Sequence, residues 1–132
     1  MIQEIAMSLQ KLFALSTLSL VSSLALALDV KPYTAQEFAA SQAAGKPVAV
    51  HFHADWCPTC RAQSQVFEAL KADKSLDLTV LVASYDNEKA LKKQMGVRVQ
   101  STIVVFKGKQ ETARLAGDTA EAKIRSALQT AL

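Results

Sequence analysis

Cysteine is scarce in this chain: there are two in 132 residues, beside two histidines and one tryptophan. Two thiols rule out a scaffold stapled by several disulfides. They also leave too few soft ligands for a four-coordinate structural zinc site unless every cysteine and histidine converges. No cysteine follows the apolar N-terminal run, so lipid attachment there has no acceptor. Charge is thin as well. Fifteen Lys and Arg stand against twelve Asp and Glu, a net +3 scattered along the chain, which is too weak and dispersed to argue for nucleic acid as a partner. No repeat, linker or low-complexity run interrupts the sequence, which favours one domain.

Both cysteines lie in one stretch, "HADWCPTCR" from His53 to Arg61. Such a pair reads as reactive thiols, a metal clamp, a structural crosslink or coincidence, and the compartment weighs on the choice. Leu12 to Ala27, "LFALSTLSLVSSLALA", is uncharged, follows Lys11 and ends in the small-x-small pattern Ala25-Leu26-Ala27. That is the layout of a secretory signal peptide over residues 1–27. Met7 is an alternative start, because Glu4 falls in a region that should be basic. As a helix the apolar run would rise about 24 Å, short of a hydrocarbon core of roughly 30 Å, so cleavage after Ala27 reads better than a permanent anchor. A periplasmic or secreted domain over residues 28–132 is expected. It is long enough for one core, and a bridge across two intervening residues would close too small a loop to stabilise much. The crosslink reading is correspondingly weak.

Along the domain, Thr34-Ala35-Gln36-Glu37 is a capping-box pattern that opens a helix running to Gly45, with Phe38 on its buried side. "PVAVHFHA", Pro47 to Ala54, alternates Val48, Val50 and Phe52 with Ala49, His51 and His53, the period of a strand. After the cysteines, Ala62, Val66, Phe67 and Leu70 recur at helical spacing. "LTVLVASY", Leu78 to Tyr85, has the near-continuous apolar run of a central strand. Asn87 is placed to cap a short helix holding Leu91 and Met95 and closed by Gly96. Ile103 to Phe106 and Thr112 to Leu115 flank the Lys107-Gly108-Lys109 turn as a hairpin. Asp118 with Glu121 then caps a last helix striped by Ile124, Leu128 and Leu132. The order is α-β-α-β-α-β-β-α, with a short strand near Val30 as an addition: a single α/β domain.

In that order the cysteines fall where a strand passes into a helix. Cys57 is then near the N-cap and Pro58 at the first helical position, where a missing N–H costs nothing. Cys60, three residues on, shares the helix face of Cys57. Partial positive charge at the helix start favours a thiolate at Cys57 over the free thiol's pKa of about 8.5. Cys57 is therefore expected to attack a substrate disulfide and Cys60 to resolve the mixed disulfide.

Here the sequence resembles a known family. The strand-WCxxC-helix unit, Tyr85-Asp86 at the end of the next strand, "MGVRVQSTIVVFKGK" from Met95 to Lys109, and Gly117 before a terminal helix look like thioredoxin-fold thiol-disulfide oxidoreductases, over all of residues 28–132. The resemblance implies a three-layer α/β/α fold, with a central mixed sheet of about four strands flanked by helices. It also implies dithiol chemistry with no bound cofactor and no metal. "WCPTCRA", with its Pro58-Thr59 dipeptide, is similar to the reductive thioredoxins of cytochrome c maturation, which implies a periplasmic reductant. Trp56 is the apolar cover beside the reactive sulfur in the family pattern.

Three positions depart from that pattern. Ser101 stands where the family has a cis-proline facing the cysteines. A cis bond before a non-proline costs about 2.5 to 4 kcal/mol, so Gln100–Ser101 is expected to be trans, with the hydroxyl free to bond a cysteine sulfur or a bound peptide. His51 stands where thioredoxin buries an acid. It is either a proton acceptor for the resolving thiol, titrating near neutral pH, or a buried histidine satisfied by a backbone carbonyl. Gln65 stands in place of a helix-kinking proline. His53 is expected to be half exposed, Asp55 a solvated acid and Arg61 a surface charge.

Two rival functions remain. The same pair serves a dithiol oxidase if its relative stabilities are reversed. Alternatively, Cys57, Cys60 and His53 hold a soft metal such as copper or zinc for delivery. The expected partners are protein thiols and disulfides and a membrane electron donor or acceptor, with the domain acting as a monomer and binding no nucleic acid.

Overall fold

Strand β2 (Pro47–His53) runs through the middle of the sheet with both faces covered, five of its seven residues being buried. In a computed structural model that describes residues 27–132, it lies parallel to β3 (Thr79–Ser84) and antiparallel to β4 (Thr102–Lys107). Val50 faces Leu81 on one side and Val104 on the other. The expected leader, residues 1–27, lies outside the described residues except for Ala27.

The sheet has five strands rather than about four, in the order β1-β3-β2-β4-β5. The addition near Val30 is β1 (Asp29–Pro32), which pairs with β3 in parallel as an edge strand, the Asp29 and Tyr33 N–H groups donating to the Leu78 and Val82 carbonyls while Pro32 takes a place that needs no N–H. At the other edge β5 (Gln110–Ala116) returns from β4 as the expected hairpin. Gly108 in its turn has φ +58°, and a Cβ there would come within 3.1 Å of the Gly45 Cα.

Period-two alternation divides the core into two layers. Ala49, Ile103, Val105 and Val80 pack against Phe67 and Leu70 of α2 (Pro58–Leu70) and Ile124 and Leu128 of α4 (Glu121–Gln129). Val48, Val50, Phe52, Leu81 and Val104 pack on the opposite face against Phe38 of α1 (Ala35–Ala43) and Leu91 of α3 (Lys89–Met95). This is the expected three-layer α/β/α arrangement.

Local signals at the helix ends fared unevenly. The Thr34 hydroxyl caps α1 by accepting from the Glu37 N–H at 3.1 Å. Gly96 closes α3 in the left-handed region, as its position suggests. Asn87, however, does not cap that helix. Its own N–H donates to the Ser84 hydroxyl, and the cap position falls to Glu88 without a side-chain bond. Nor do Asp118 and Glu121 form a capping box. Ala120 is the N-cap of α4, while the two carboxylates pair with Lys123 and Arg125.

The last stripe also stops short. Ile124 and Leu128 are fully buried, but Leu132 is 48% exposed. Thr130 and Ala131 bond back to Ala127 and Leu128, an i to i−3 tightening that rotates the chain and gives the buried place to Ala131. Similarly, the face α2 buries is Cys60, Gln63, Phe67 and Leu70, with Ala62 and Val66 at its half-buried flank. Ile124→Ala should lower unfolding free energy by about 2–5 kcal/mol, whereas Leu132→Ala should change it by no more than about 0.5 kcal/mol. Urea denaturation of the two variants checks the contrast.

Candidate functional site

The chain leaves β2 at His53, turns through Ala54, Asp55 and Trp56, and enters α2 at Cys57. Cys57 is the N-cap, in extended conformation, and Pro58 occupies the first turn. In the place of the usual capping oxygen, the Cys57 Sγ accepts the Cys60 backbone N–H at 3.1 Å. Cys57 and Cys60 are joined as a disulfide, their Cα atoms 5.3 Å apart. Both are buried, in a cluster with Ala54 on which Tyr85 packs. Thr59 is half-buried between them and Pro58 exposed.

The two sulfurs have different neighbours. An N–H aimed at the Cys57 Sγ, together with the helix N-terminus, stabilises negative charge there. The Cys60 Sγ instead lies 3.8 Å from the Phe52 carbonyl oxygen, an acceptor that favours a protonated thiol once the disulfide is opened.

Around the pair, Trp56 is 57% exposed and donates from Nε1 to the Asp86 carboxylate at 2.9 Å. Asp55 is a solvated acid whose side chain meets the His53 Nε2 at 3.2 Å, and His53 is half-buried. Arg61 is more than a surface charge, since its guanidinium donates to the Asp55 carbonyl at 2.7 Å and ties the turn to the helix. Among the described residues, no three His, Cys, Asp or Glu side chains cluster as metal ligands, and the His53 Nε2 is turned to Asp55.

Ser101 sits beside the cysteines with a trans peptide bond before it, as expected, but in an unexpected backbone state, φ +60°. Its N–H donates to the Phe52 carbonyl at 3.0 Å, the same oxygen that neighbours the Cys60 Sγ. Its hydroxyl does not reach a sulfur; it donates to the Gln100 carbonyl.

His51 is fully buried beneath this end of the sheet, its ring edge-on to Phe67 and to His53. Neither expectation for it holds in full. Its partner is no backbone carbonyl but the side chain of Gln63, with Nε2 2.8 Å from Oε1. Loss of water around the ring pushes its pKa down to about 4, against the opposing pull of the Gln63 bond and with a small push from His53. It is therefore neutral at pH 7 and does not titrate near neutrality. Gln63 is the residue that reading the sequence missed. Its position three after Cys60, on the face that also carries Phe67 and Leu70, is the signal that could have placed it in the interior.

A family model described as Thioredoxin matches residues 29–130. The chain belongs to the thioredoxin family. A solved structure from Edwardsiella tarda EIB202, described as Trxlp, is 36% identical with a TM-score of 0.72, covering 76% of this chain and 98% of that one. Thioredoxin from Alicyclobacillus acidocaldarius is 31% identical over 88 residues, 64% of this chain and 84% of the relative. Thioredoxin from Mycobacterium bovis is 30% identical over 79 residues, 60% of this chain and 68% of the relative. With its paired cysteines at the start of α2, this thioredoxin-family chain is a thiol-disulfide oxidoreductase.

The buried imidazole carries a pH signature. The unfolded chain takes up a proton near pH 6.5 that folded His51 refuses until about pH 4, so stability falls as pH drops through that window. The loss attributable to His51 should amount to roughly 3 kcal/mol and be absent from His51→Phe. Denaturation of both proteins at pH 7 and pH 4 tests this, and an NMR titration placing His51 near 6.5 would contradict it.

Proposed function

We propose that this thioredoxin-family protein reduces disulfides of protein substrates outside the cytoplasm, with Cys57 as nucleophile and Cys60 as resolving thiol. The observation that carries the assignment of roles is the asymmetry of the two sulfurs: a backbone N–H on Cys57, a carbonyl oxygen beside Cys60. The Cys57 thiolate attacks one sulfur of the substrate disulfide, forming a mixed disulfide and expelling the other sulfur as a thiolate that takes a proton from water. Cys60 then loses its proton to solvent and attacks the Cys57 Sγ. The Cys57–Cys60 bond forms, the bond to substrate breaks, and two electrons have passed to the substrate.

The direction is supported by how little stabilises the reduced form. A strong disulfide donor is one whose dithiol state is held down in energy. Here the Cys57 Sγ takes one backbone N–H, Arg61 is turned to the Asp55 carbonyl, and His51 is neutral. The "WCPTCRA" run argues the same way. The uncharged stretch ending at Ala27 supports export, and a reductant in an oxidising compartment implies a membrane electron donor that recharges it. A monomer suffices for this chemistry.

Cys57→Ala should abolish disulfide reduction, and Cys60→Ala should accumulate a mixed disulfide through Cys57, visible by mass spectrometry. A Cys57→Ala protein that still reduced disulfides would overturn the roles. Equilibration with glutathione, followed by Trp56 fluorescence, should give a potential near about −270 mV. A value near about −120 mV would make the protein a disulfide donor instead.

A further inference from the structure

Gln63 is fully buried on the face that α2 turns to the sheet, one helical turn beyond Cys60. Its Nε2 donates to the Ser101 carbonyl and to the Asp118 carbonyl, both at 2.9 Å, while Oε1 meets the His51 Nε2 at 2.8 Å. The two carbonyls decide which end of the amide is which, since the flipped arrangement would set oxygen against oxygen. His51 must then donate from Nε2, and its buried Nδ1 is left without a partner. One side chain thus joins α2 to β2, to the loop before β4 and to the loop before α4.

Ser101 is the partner that needs holding. It is the one described non-glycine residue in the left-handed region, a conformation that persists where the surroundings over-determine it. Three bonds do so: its N–H to Phe52, and its carbonyl to the Gly117 N–H at 3.1 Å and to Gln63. Exposed Val99 and half-buried Gln100 lead directly into it, and its N–H shares the Phe52 carbonyl with the Cys60 Sγ.

We propose that Gln63 is a positioning residue for disulfide exchange, its carboxamide clamping the Val99–Ser101 loop against the cysteine end of α2 so that a protein substrate docks on a preformed surface. This rests on the thiol-disulfide exchange read above and adds no chemical step to it. In the resembled family a proline ring constrains this position. Here the constraint comes from a side chain on the redox helix itself.

The test compares wild type with Gln63→Met, which keeps length and removes all three bonds. Reduction of insulin disulfides and of hydroxyethyl disulfide is measured for both. For insulin, kcat/KM should fall roughly 10- to 100-fold, chiefly through KM, as it does when docking is misplaced by about 1 Å. The rate on the small disulfide should fall much less. Amide exchange at Ser101 and Gly117 should quicken while Ile124 stays protected. A folded variant with an unchanged ratio of the two activities, or with equal losses on both, overturns the proposal.

Wild-type protein supplies an independent check should the variant not fold. Slow exchange of the Gln63 side-chain N–H groups and a His51 proton on Nε2, both read by nitrogen-15 NMR, are expected. Exchange as fast as that of exposed Gln65, or a proton on Nδ1, would mean that no clamp exists. If wild type reduced neither disulfide, the function would fall while the NMR result still judged the clamp.

Discussion

A sulfur atom fills a position that helices ordinarily give to oxygen. Because Cys57 is the N-cap of α2, its Sγ receives the N–H of the residue whose side chain is its redox partner, and the rest of the site is arranged about that bond. The cap requires the chain to leave β2 in extended conformation and to turn at once, which the Ala54–Trp56 turn achieves with the Arg61 guanidinium holding its Asp55 carbonyl. It also requires a helix start whose missing N–H does no harm, and Pro58 meets that condition. The geometry that sets an N–H on the Cys57 Sγ is therefore the same geometry that begins the helix.

Beneath that cap the interior is polar but uncharged. An ionised group buried there would be costly without a partner, and burial drives His51 to its neutral form instead. The imidazole and the Gln63 carboxamide answer each other as donor and acceptor, the arrangement by which a buried polar pair avoids destabilising the core. The Cys57 Sγ thus meets a backbone N–H on the helix side, while the imidazole below is neutral.

Much of this was legible in the sequence, because the relevant signals are periodic or local. Alternation in "PVAVHFHA" identified β2, the sequence Cys57-Pro58 identified the start of α2, and Lys107-Gly108-Lys109 identified the hairpin. What escaped depends on contacts between distant segments. Asn87 and Asp118 have the chemistry of caps, but the cap of α3 falls one residue after the expected place, at Glu88, and the Asp118 carboxylate pairs with Lys123. Leu132 has the spacing of a core residue, but the preceding turn tightens. Gln63 reads as a surface amide until His51, Ser101 and Asp118, which come from three other parts of the chain, converge on it. Ser101 signals the loss of a proline, yet nothing local reveals its positive φ.

At the pole of the molecule away from the cysteines, Gly108 rests on Gly45, backbone against backbone, and its N–H donates to the Lys46 carbonyl at 3.0 Å. A Cβ at Gly108 would press on the Gly45 backbone and push the β4–β5 hairpin from the entrance to β2, whereas one at Gly45 meets nothing within 4 Å and is opposed only by its φ of +67°. In a saturation scan Gly108 would be penalised by space and backbone strain together and Gly45 by strain alone, and the loss would register as abundance rather than turnover. Intolerance to substitution in this protein thus has two separate origins, at opposite ends of one strand.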